Sequence, residues 1–176
     1  MSNLSPLAIE RLRAVKAAIL AEPMLFDMQD DRPPNRSCGS PGCIFGWALF
    51  LWPNAAARPS LHNYRYQDGA VALGLPCPTR HDSWMTTWGM GGTDVAALPL
   101  PDLLARRLFY TDNWPEKFRN AYIAIRTAAP ILNARRHGAC LEDAGKCRRL
   151  LRAGRIAEAR LAARRIDHFI ATDGNE

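Results

Sequence analysis

No stretch of this chain approaches the roughly 20 consecutive apolar residues that a membrane-spanning helix needs. The longest run, Cys43 to Trp52, is closed by Pro53-Asn54, so a membrane is not an expected partner. Near the start, Ala17-Ala-Ile-Leu-Ala21 is too short for the apolar core of a secretory signal. Cysteine is sparse: five residues, an odd number at irregular spacing. Without an export signal, reduced thiols in a cytoplasm are the economical expectation. There is no phosphate-binding glycine loop and no paired-carboxylate signature. No helix-turn-helix, zinc-finger or RNA-recognition pattern offers base readout. Period-two alternation is also missing, which argues against strands and leaves an all-α class.

Apolar residues are not in short supply. At 176 residues and 48% hydrophobic, the chain can bury a proper core and is expected to form a compact single domain, 1–176. The segment Cys38 to Trp52 looks central. Ser40-Pro41 reads as a helix start, because a serine hydroxyl caps a free backbone N–H and proline fits the first helical position. The following residues, Ile44, Phe45, Trp47, Ala48, Leu49, Phe50 and Leu51, leave no polar face. The expectation is a helix over about 41–52, buried all round, with the rest of the bundle arranged around it.

The pattern C-G-S/T-x-x-C-I-x-G-W is carried by Cys38, Gly39, Ser40, Cys43, Ile44, Gly46 and Trp47. Further landmarks are Ala72-Leu-Gly-Leu75, Leu108-Phe-Tyr110 followed by Trp114-Pro115, and Arg165-Ile-Asp-His-Phe-Ile170. Together they resemble a group of small uncharacterised bacterial and phage proteins. The resemblance covers most of the chain in scattered blocks and leaves out the basic segment from Arg135 to Arg155. It implies no activity.

Around that centre the pattern is helical. Ser5-Pro6 repeats the cap signal, and Ala8, Leu12, Val15 and Ile19 fall on one face before Pro23 stops the helix. A short helix is expected over Gly69–Leu75, ended at Gly74. Further helices are expected from Pro101 to Tyr110, from Trp114-Pro115 to about Ala128, and as a closing pair, Leu141–Leu151 and Ile156–Ala171, divided at Ala153-Gly154. A long irregular loop is expected at 76–100. It holds Trp84 and Trp88, four apart in a glycine- and methionine-rich setting that suits an exposed contact surface.

Charge is uneven. The net is +6, yet Arg135 to Arg165 holds ten Lys/Arg against three Asp/Glu, so the remainder is near neutral. The basic C-terminal pair, 135–171, offers Arg148, Arg149, Arg152, Arg155, Arg160, Arg164 and Arg165 to phosphates or an acidic protein. As chemistry, Cys43 in the first turn of a helix could become a thiolate nucleophile, but a histidine would have to stand beside it. Cys38-x4-Cys43 fits a zinc pair only at the edge of the usual spacing. No cofactor is expected.

These readings lead to a non-enzymatic interaction protein of bacterial or phage type. It would bind a host protein or nucleoprotein through Trp84, Trp88 and the arginines, as an inhibitor or regulator. Nucleic-acid binding by the arginine-rich helices is the first alternative, a Cys43-dependent hydrolase or transferase the second, and a zinc-stabilised fold holding metal at Cys38 and Cys43 the third.

Overall fold

A computed structural model describes residues 2–29, 33–37, 42–55, 65–76, 100–134 and 144–176. The helices are α1 (Pro6–Ala21), α2 (Ile44–Leu51), α3 (Arg65–Ala72), α4 (Leu100–Phe109), α5 (Glu116–Ala128), α6 (Ile131–Ala134) and α7 (Ala144–Ala171). Among the described residues there is no strand, so the class is all-α, as the missing alternation implied. No described helix is long and apolar enough to cross a membrane.

α1 forms as its sequence dictates. The Ser5 hydroxyl accepts from Ala8 N–H, Pro6 opens the helix, and Ala8, Leu12, Val15 and Ile19 are all buried. α7 is the longest element, 28 residues, or about 42 Å at 1.5 Å per residue. It packs along both α1 and α5. α2 lies against α1 and α3, with Trp47 buried and its indole N–H donating to Leu25 O at 3.2 Å.

Three expectations are corrected. α2 begins at Ile44 rather than Pro41, and Cys43 is its extended N-cap (φ −81°, ψ −175°). The reason is tertiary. Gly42 N–H donates to Leu25 O at 2.9 Å, and Asp27 N–H donates to Gly42 O at 3.2 Å. This short parallel bridge between Phe26 and Gly42 takes the Gly42 carbonyl that an earlier helical turn would offer to Gly46 N–H. Nor is α2 buried all round: Ile44 to Ala48 are buried, whereas Leu49, Phe50 and Leu51 are partly exposed.

The third correction concerns the C-terminal pair. It is one helix, and Ala153-Gly154 does not divide it. Gly154 is there for close approach. A Cβ at that position would stand 2.8 Å from Ala129 Cβ and 2.8 Å from Leu132 Cδ1. The chain after α5 thus crosses α7 where α7 has no side chain.

The ends of α3 and α7 share one device. Gly74 (φ +73°) stops α3, with Leu75 N–H donating to Ala70 O and Gly74 N–H to Val71 O, both at 2.9 Å. This is a Schellman closure. At α7 the left-handed residues are Asp173 (φ +53°) and Gly174 (φ +74°). Asp173 is held there by its carboxylate, which accepts from Asn3 N–H at 2.6 Å, Leu4 N–H at 2.9 Å and the Ser2 hydroxyl at 2.6 Å. The segment before α1 is thereby fastened to the end of α7.

Candidate interaction surface

Helical phase divides the arginines of α7 into two sets. Arg155 is 1% exposed and Arg165 is fully buried, together with Glu158. Arg160 and Arg164 are exposed on the opposite side, and Arg148, Arg149 and Arg152 are exposed nearer the start of the helix. Arg155 was expected on the solvent-facing, partner-binding side, and Arg165 among the phosphate-binding cations. Both assignments are corrected, because these side chains point into the core.

Of the inward set, Arg155 and Glu158 join Asp27 and Arg126 in a buried polar network. Asp27 Oδ1 accepts from Arg126 Nη2 at 2.5 Å, and its Oδ2 accepts from Arg155 Nη1 at 2.7 Å. Glu158 Oε1 accepts from Arg126 Nη2 at 2.7 Å and from Met28 N–H at 2.9 Å. Arg155 Nη1 also donates to Phe26 O at 2.5 Å. Two cations and two carboxylates thus tie the segment after α1 to α5 and α7. Burial works against the Arg126 cation, but Glu158 and then Asp27 outweigh it and hold its pKa above the ordinary value. Burial pushes the neighbouring Tyr122 phenol up to about 12, assisted by Glu158 and Asp27 and opposed by Arg126. The network stabilises the fold through pairing of its buried charges.

Arg165 has a different environment. Its guanidinium lies 5.4 Å from the Phe169 ring centre and 5.8 Å from that of Phe118, and Nη2 donates to Arg107 O at 2.7 Å. Its Nε and Nη1 are buried without a hydrogen-bond partner. Burial lowers its pKa to about 10.

The outward set borders an open groove of about 770 Å³ between α1, α5 and α7. α1 contributes Lys16 and Leu20. α5 contributes Ala121, Ala124 and Ile125. α7 contributes Ala157, Arg160, Ala163, Arg164 and Asp167. Leu20 is 43% exposed although it is apolar. At one end Lys16 Nζ donates to both Asp167 oxygens at 2.7 Å, closing that pair on itself. Arg160 and Arg164 find no carboxylate among the described residues. The groove therefore has a floor and walls of small and apolar side chains and a rim with two unneutralised cations.

The other sequence-selected residues fall as follows. Trp84, Trp88 and residues 77–99 of the expected loop lie outside the described residues, as do Cys38, Cys77 and Cys140, while Leu100, expected in the loop, already opens α4. Cys43 is 4% exposed at the N-cap of α2, and its side chain makes no capping bond. Of the four histidines, only His168 is described. Its Nε2 pairs with Glu176 Oε2 at 2.9 Å, and its ring lies 5.2 Å from that of Phe118. Among the described residues no group of three His, Cys, Asp or Glu side chains is placed to hold a metal ion. No protein-family model, no curated protein and no solved structure matches the chain.

Proposed function

We propose that this is a non-enzymatic interaction protein that binds an acidic surface of a host protein or nucleoprotein through the groove of α1, α5 and α7. In keeping with the sequence resemblance, it would be of bacterial or phage type and act as an inhibitor or regulator. One observation carries this reading. Arg160 and Arg164 stand exposed, one turn apart, beside an apolar groove and, among the described residues, without a carboxylate to neutralise them. Exposed apolar surface next to unpaired arginine is the composition of interface centres rather than of ordinary solvated surface. The burial of Cys43 gives no support to thiol chemistry.

The test is affinity capture from bacterial lysate, with and without nuclease, using wild type and the Arg160→Glu/Arg164→Glu double variant. A discrete acidic protein, retained after nuclease and lost with the double variant, supports the reading. Equal recovery by both forms refutes it.

A second reading rests on the same helix. Arg148, Arg149, Arg152, Arg160 and Arg164 are all exposed along α7 over about 24 Å, a length that suits a phosphate backbone. Affinity for duplex DNA would then fall with salt at a slope of about −0.9 per phosphate contacted. Binding insensitive to salt would remove this reading.

A further inference from the structure

Resting on the proposed interaction reading, we infer that the groove receives an acidic amphipathic α-helix from a partner protein, with carboxylates one turn apart set against Arg160 and Arg164.

The shape of the groove favours a helix. Its long sides are α1 and α5, its floor is α7, and the small residues Ala124, Ala157 and Ala163 line it. Small side chains let a fourth helix approach closely, at the lower end of the 8–10 Å range of helix packing. An extended segment fits poorly. The surrounding backbone N–H and C=O groups are used inside α1, α5 and α7, and the described residues present no sheet edge. The polar backbone of an extended segment would face apolar side chains unpaired, whereas a helix satisfies its own. A small carboxylate is also a poor match, since sites for such molecules enclose most of the ligand and this groove is open.

Charge then selects which helix. The Cα atoms of Arg160 and Arg164 are about 6 Å apart along α7, the same rise as between positions i and i+4 of an incoming helix. Each guanidinium can grip a carboxylate with two parallel N–H donors. At the other end Asp167 is already neutralised by Lys16, so the attractive sites for anions are the two arginines. A nucleic-acid backbone would use these cations but not Leu20, Ala124 or Ile125 beside them.

The experiment is a display selection of randomised helical peptides about four turns long on the full chain, followed by anisotropy titration of the enriched peptides. The expected sequences carry Asp or Glu at i and i+4 beside an apolar stripe. Their affinity should fall about ten-fold or more with Arg160→Glu/Arg164→Glu, and equally with Ala124→Trp, which fills the groove without altering charge. Arg119→Glu, whose residue does not line the groove, should leave it within about two-fold. Enriched peptides without acidic pairs, or binding untouched by Ala124→Trp, would overturn the inference. So would concentration-dependent dimerisation of the wild type that Ala124→Trp abolishes, since the occupant would then be a second copy. An acidic protein captured equally by wild type and Ala124→Trp sinks the docked helix and leaves the interaction reading intact. Nuclease-sensitive nucleic acid as the only catch sinks both.

Discussion

Arg155 donates to Asp27 Oδ2 at 2.7 Å with both side chains nearly closed to solvent. They join α7 to the segment after α1, 128 positions earlier in the chain. The pair belongs to a network in which every charge has an opposite neighbour. Removing one member leaves its partners buried and unpaired. Asp27→Ala is expected to cost about 3–5 kcal/mol, read from urea denaturation of the purified protein. Arg155→Ala should fall in the same range.

The outward arginines behave oppositely. Arg160→Ala and Arg164→Ala should each change stability by no more than about 0.5 kcal/mol, because they are exposed and form no ion pair among the described residues. A denaturation midpoint close to wild type, alongside the loss of Arg155→Ala, would verify the division of α7 by phase.

Arg165 should be dispensable to stability. It is a buried cation with aromatic neighbours but no carboxylate in hydrogen-bond contact, and two of its nitrogens lack partners. Arg165→Met keeps much of the volume and removes the desolvated charge. Replacing buried charge by a well-packed apolar group is often neutral or stabilising by about 1–4 kcal/mol. An unchanged or raised unfolding midpoint is expected, and a large loss would count against this reading of the site.

Gly154→Ala tests the helix crossing. In an exposed helix this change stabilises by roughly 1 kcal/mol. Here the added methyl would meet Ala129 and Leu132 at 2.8 Å, and overpacking typically costs about 1–3 kcal/mol. Net destabilisation is the expected sign, measured by thermal unfolding.

The Asp173 clamp is acid-sensitive. Its carboxyl is held below the ordinary pKa, first by the Ser2 hydroxyl and then by the Asn3 N–H. A lowered folded-state pKa contributes stability above the unfolded value, and that contribution is lost as pH falls through the folded one. NMR titration should show the Asn3 and Leu4 amide signals moving together at a pH below the usual aspartate range.

Much of the fold could be read from local pattern. The Ser5-Pro6 cap, the Ala8–Ile19 face and the stop at Gly74 are decided within a few residues, and all appear as expected. The start of α2 could not be read this way. Ser40-Pro41 imitates a cap, while the backbone of Gly42 is claimed by residues 25–27. Gly154 has the composition of a break, and only the crossing segment explains its place inside a helix. Counting charges grouped Arg155 and Arg165 with Arg160 and Arg164. Following the 3.6-residue period through Ala159, Ala162, Ile166 and Phe169 would have separated them. The carboxylates that receive Arg126 lie 99 and 32 positions away, and no local signal joins them.

The splitting of α7 into two faces has a consequence for change over time. Inward positions such as Arg155 and Glu158 answer to the interior, where one substitution strands several partners. Outward positions such as Arg160 and Arg164 carry no such interior constraint. On the proposed interaction reading, the chain would exchange one specificity for another by redrafting a single exposed stripe, while the scaffold that presents the stripe stays as it is.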